Sequence, residues 1–234
     1  MRAPTKTVLI HDLLRRRILA LRHRPGEYLN VDELARAHAV SPIPVREAVA
    51  RLAAERLVIL RPHVGAEVAP VDGTSVREIF ALLTGLELAA AAESVARVTP
   101  ADLARLRALH RELAAHGRVG DRAEWDRRNA AFHLALASLA ALPAVVEQLR
   151  VAFEHWDRAR RHLFERSPEI DFARAQQEHR AMIAALQARD AGRLRRLLLA
   201  HNARARDRFL RLLGEPKGEA GGEGGGRPGL STAS

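Results

Sequence analysis

Val8, Ile10, Leu13, Leu14 and Ile18 share one face of a helix, with the arginines at 15–17 largely beside it. The pair Pro25-Gly26 is a turn signal that ends this region. Leu29 suits a brief edge strand, and Asn30 is a candidate N-cap for a short helix near 31–38. Ala39 and Val40 make a tight turn. Ser41 then opens a further helix with Pro42 at its first position, where a missing N–H costs nothing. Val45, Ala48, Val49 and Leu52 line one face of that helix. Residues 57–60 and 66–69 read as two short strands around a turn at 61–65. Helix, tight turn, capped helix and wing is the layout of a winged helix-turn-helix.

From Ser75 onward apolar residues recur at helical spacing almost without interruption. Helices are predicted near 73–97, 100–116, 121–138, 143–165, 169–188 and 190–213, separated by Thr99-Pro100, Gly117 to Gly120, the LAALP run, Ser167-Pro168 and 188–192. The pattern therefore predicts a mostly α protein: a winged helix-turn-helix over 1–70, then an all-α bundle of about six helices over 71–213. Residues 214–234 hold eight of the fifteen glycines and are expected to be a disordered tail.

Composition narrows the choices. In 234 residues, 47% are hydrophobic but only 4% aromatic, so Leu, Ala and Val must fill the core. There are no cysteines, which excludes disulfides, thiolate metal sites and cysteine nucleophiles. The formal charge of +10 suits a polyanionic partner. Lysine occurs only at Lys6 and Lys217, so arginine carries nearly all of that charge. No segment reads as a signal peptide or as apolar for long enough to span a bilayer, and the expectation is a soluble, cytoplasmic protein without membrane partners.

A winged helix has a direct use for that charge. Arg46, one turn into the second helix of the motif, is placed to reach guanine in a major groove. Arg51 faces away from Val45 and Val49, towards backbone phosphate, and Arg61 and His63 sit at the wing tip. A second candidate chemistry lies in the bundle. Asn129 and His133 are four residues apart and share a helix face, while His179 and His201 lie on the last two helices. Three imidazoles and an oxygen donor can hold a divalent ion such as Zn or Ni, or they can be separate histidines, each bonded locally.

The run from 22 to 68, RHRPGEYLNVDELARAHAVSPIPVREAVARLAAERLVILRPHVGAEV, resembles the DNA-binding domain of the GntR family of bacterial regulators. The resemblance implies DNA contact by Ser41, Arg46, His63 and Gly65. The family's usual base-reading arginine after the serine is here Pro42, and Ile43 stands where Thr is usual. NAAFH at 129–133, QEH at 177–179 and His201 are similar to the FadR C-terminal (FCD) effector domain, in its shorter, VanR-like branch. That resemblance implies metal ligation by Asn129, His133, His179 and His201, with Asn129 at a position often held by Asp. It also implies an arginine four residues before Glu87, where this chain has Leu83.

Three functions follow as expectations. The first is a homodimeric regulator on a palindromic operator, controlled by a small organic acid at the bundle metal. The second is a metal-sensing regulator. The third is a metal-dependent helical enzyme.

Overall fold

The computed structural model describes residues 4–61, 65–119, 121–163 and 171–214. His63 and the tail from 215 onward lie outside the described residues.

The N-terminal part contains α1 (Lys6–Leu19), β1 (Tyr28–Leu29), α2 (Val31–Ala37), α3 (Pro42–Ala54), β2 (Val58–Arg61) and β3 (Gly65–Val68). α1 buries Thr7, Ile10, Leu14 and Ile18, a somewhat different row from the one the apolar pattern suggests: Val8 and Leu13 are only half-buried. Asn30 caps α2, its side chain accepting from the N–H groups of Asp32 and Glu33. The link to α3 passes through Ala39 with a positive φ of 50°. α3 buries Val45, Ala48, Val49 and Leu52 against Ile10, Leu14 and Ile18. The sheet order is β1-β3-β2, all antiparallel, with Arg61 opposite Gly65 at the wing end. Gly65 has φ +125°, a conformation that favours glycine.

Among the described residues six helices follow: α4 (Gly73–Arg97), α5 (Pro100–Val119), α6 (Arg122–Ser138), α7 (Pro143–Leu163), α8 (Phe172–Gln187) and α9 (Ala191–Leu212). α4 opens on a capping box in which the Asp72 carboxylate accepts from Ser75 N–H and the Asp72 N–H donates to Ser75 Oγ. Contrary to the reading of the sequence, α4 is long and apolar enough to cross a membrane, by length and composition alone. Packing accounts for that composition. One face puts Val76, Phe80, Leu83, Ala90 and Ala91 into the bundle core, with Ile79 and Leu86 half-buried at its margin and Leu82 exposed between them. The bundle has two apolar clusters, one centred on Phe80, Phe153 and Trp156, the other on Phe132, Met182 and Leu198.

α7 joins the two parts of the chain. Arg15 of α1 bridges Glu55, at the end of α3 (2.7 Å), and Glu154 of α7. His11 Nε2 also meets Glu55, at 2.5 Å. Arg158 of α7 donates to the Ala69 carbonyl just after β3.

Candidate functional site

The first site is the outer surface of α3 and the wing. Arg46 and Arg51 are exposed, and neither has a hydrogen bond or ion pair among the described residues. Arg61 is held by Glu67 across the wing, Nε to Oε2 at 3.0 Å. Ser41 occupies the N-cap of α3, yet its hydroxyl makes no capping bond. The sequence explains this. Pro42 and Pro44 remove two of the three N–H groups of the first turn, including the one an N-cap side chain usually receives from the third position. The Ser41 hydroxyl thus remains available to an outside acceptor.

The second site lies in the bundle, between the two apolar clusters. α6, α8 and α9 bring His133, His179 and His201 together, with one ring nitrogen from each within 4.8 Å of the others. Their ring centroids are 5.0–5.1 Å apart. Phe132 backs His179 at 4.6 Å and Phe153 lies 5.8 Å from His133. His179 is fully buried, and neither of its ring nitrogens has a hydrogen-bond partner. Leaving a buried polar atom unmet costs about 1–3 kcal/mol, so this arrangement fits a divalent cation better than a neutral core. Burial, followed by the neighbouring histidines, holds the His179 pKa well below its ordinary value. Burial also lowers that of His201, against the opposing pull of Glu178. Neutral imidazole is the form that ligates a metal.

Two carboxylates stand behind the rings. Glu87 of α4 is buried, with Oε1 2.6 Å from His133 Nδ1, and its Oε2 accepts from Asn202 Nδ2 at 2.6 Å. Glu178 Oε2 lies 2.6 Å from His201 Nδ1. Burial would raise both carboxyl pKa values, but His133 and Asn202 outweigh it at Glu87 and His201 and Arg204 outweigh it at Glu178, so both are lowered. A carboxylate on one ring nitrogen fixes the tautomer and turns the other nitrogen towards an ion. Sequence reasoning missed both roles. The signal for Glu87 was there, as the single acid in the apolar run LLTGLELAAAA. The role of Glu178 depends on the packing of α8 against α9 and has no local sign.

Asn129 sits one turn before His133. Its Oδ1 is buried without a hydrogen-bond partner, and it lines the same cavity as His201. That cavity, of 460 Å³, opens among α6, α7, α8 and α9. Leu83, at the position of the expected arginine, is in the core.

A winged helix followed by a helical domain with a buried polar centre beside a cavity is the layout of a two-domain DNA-binding regulator. Residues 7–68 match the bacterial regulatory proteins of the gntR family, and residues 78–204 match the FCD domain. The chain belongs to the gntR family, in the group that carries an FCD domain. It is similar to an uncharacterized HTH-type transcriptional regulator of Streptomyces ambofaciens, 35% identical over 65% of this chain and 64% of that protein. It thus spans slightly under two thirds of that relative. It is also similar to the HTH-type transcriptional repressor RspR of Escherichia coli, 29% identical over 85% of this chain and 87% of the repressor. Among solved structures, E. coli McbR/YncC aligns with a TM-score of 0.67 at 25% identity, over 90% of this chain and 98% of that one. Family and relatives are transcriptional regulators, so the metal-dependent enzyme expected as an alternative is set aside.

Proposed function

We propose that the protein is a cytoplasmic, homodimeric transcriptional regulator whose operator affinity is set by a small organic acid bound at a metal centre in the bundle. Ser41, Arg46, Arg51, Arg61, His63 and Gly65 form the operator contact. His133, His179 and His201 hold a divalent ion, Zn or Ni, with Asn129 as a weaker fourth ligand. The ion supplies positive charge for a carboxylate. Glu87 and Glu178 orient the rings, and the 460 Å³ cavity admits the acid. A ligand that favours one geometry of the dimer over the other shifts operator affinity accordingly.

The observation that carries this reading is His179, buried with both nitrogens unmet in the middle of a three-histidine cluster. The adjoining cavity favours an organic effector over the metal-sensing alternative, in which the ion alone is the signal. Elemental analysis after dialysis tests the centre. Wild type is expected to retain about one divalent ion per chain and His179→Ala to lose most of it, as expected when an ion loses one of its few protein ligands. Equal metal content in the two proteins refutes it.

The surface of α4 supports the homodimer. Leu82, 51% exposed, and the half-buried Ile79 and Leu86 a turn to either side form an apolar stripe on α4. A second copy laid on this stripe would bury it and pair two recognition helices for a palindromic operator.

A further inference from the structure

The outer face of α3 is led by an apolar side chain. At about 100° per residue, Ile43, Glu47 and Ala50 lie opposite the row Val45, Ala48, Val49 and Leu52 that the helix buries. Ile43 is 67% exposed, more than any other large apolar side chain among the described residues. Pro42 and Pro44 on either side fix the backbone of this first turn. Glu47 is drawn back towards α1, its Oε2 accepting from the Thr7 hydroxyl at 2.8 Å. Ala50 adds only a methyl group. Ile43 therefore stands out furthest from this face, with the exposed Arg46 and Arg51 to its two sides.

The major groove of B-DNA offers one apolar group to such a side chain, the C5-methyl of thymine. The rest of the base edges there are lined by hydrogen-bond donors and acceptors. Isoleucine has neither a donor nor an acceptor. Laid on the methyl it gains contact area, whereas laid on the polar edges it would strand them without water. Arg46, three residues on, is its neighbour on the helix surface and suits an adjacent guanine. The two prolines also remove N–H groups that a helix start would otherwise offer to phosphate. The first turn of α3 is thus left with Ile43 and the Ser41 hydroxyl as its means of meeting DNA.

We propose that Ile43 is a specificity-determining residue of this regulator and packs on the C5-methyl of a thymine in the major groove of each operator half-site. The proposal rests on the operator contact described above and adds to it a side chain outside that set, with the base it reads. Covering one methyl group is worth about fourfold in affinity, and two half-sites on a dimer bring the effect to the order of tenfold.

Selection from random-sequence duplexes by the full-length protein yields the operator, and footprinting marks its bases. Thymines under the footprint are then replaced, one symmetric pair at a time, by deoxyuridine. This removes the methyl and leaves every hydrogen-bonding group of the base in place. One such pair is expected to weaken wild-type binding about tenfold, read by mobility shift. Ile43→Ala, a change at an exposed position, is expected to bind the thymine operator about tenfold more weakly than wild type and to bind the thymine and deoxyuridine duplexes within about twofold of each other. Arg46→Ala is expected to weaken both duplexes alike and to keep the preference for thymine. If no pair changes wild-type affinity, or if Ile43→Ala keeps the full effect, the role of Ile43 is overturned, and a defect in Arg46→Ala still leaves the operator contact standing. If no duplex is enriched, the proposal and the operator contact fall together.

Discussion

At the scale of single residues, His179 sets the pH behaviour of the apo protein. Its pKa, and that of His201, are lower in the folded chain than the ordinary 6.5. Between those folded values and 6.5 the unfolded chain binds more protons, so stability rises with pH there. Metal-stripped protein is therefore expected to melt at progressively lower temperature as pH falls from about 7 towards 5. Glu87 and Glu178, whose pKa values are lowered, add their loss only below about 4.5. A flat melting temperature from neutral pH to about 5 would contradict neutral buried imidazoles in the folded state. At the other site, Arg46 is exposed and has no partner among the described residues, which leaves it ready to meet a base. Arg46→Ala is expected to weaken specific operator binding by about 1–3 kcal/mol, read by mobility shift on the protein's own promoter. Equal shifts for both proteins would remove Arg46 from the contact. The histidines and Arg46 stood out in the sequence because their spacing alone puts them on useful faces. Asn202 did not, because its partner Glu87 is 115 residues away.

At the scale of elements, periodicity placed the helices well and their ends less well. The fifth helix of the bundle was expected to include Asp171, whereas Asp171 is the N-cap of α8, which begins at Phe172; the expected end of the fourth at 165 lies outside the described residues. Helix ends are settled by caps, and some caps are remote. The C-terminus of α4 shows this. Arg189, held at φ 52° in the turn before α9, donates to the carbonyls of Val95, Ala96 and Val98 at 2.9–3.0 Å. One guanidinium thus meets three of the carbonyls that a helix end leaves open, more than 90 residues away in sequence. Arg189→Ala is expected to destabilise the protein by about 1–3 kcal/mol, measured by urea unfolding, because three helix-end acceptors, two of them partly buried, lose a charged donor. A change under about 0.5 kcal/mol would assign those carbonyls to solvent. α3 shows the opposite case. Its composition, with prolines at 42 and 44, explains the idle Ser41 hydroxyl without any distant partner.

At the scale of the whole molecule, the joint between winged helix and bundle is built from few groups. Arg15, Glu55, Glu154 and Arg158 connect α1, α3 and the end of β3 to α7. α7 also carries Trp156 and Arg160 into the cavity. The two ends of the regulatory chain thus share one helix, an arrangement that no local pattern in the sequence announces. The dimer is tested at this scale too. Leu82→Glu, on the apolar stripe of α4, is expected to shift the protein to a monomer at micromolar concentration by sedimentation, since burying an unpaired carboxylate is costly. An unchanged dimer would move the interface elsewhere.

The histidine cluster has a further consequence for a chain without cysteines. His133, His179 and His201 come from three helices, the last of them 68 positions along the chain from the first. An ion shared by them ties distant points of the chain together, as a disulfide would, and removes loop entropy from the unfolded state. Unlike a disulfide, such a cross-link is indifferent to the redox state of the cell and answers instead to pH and to the supply of metal.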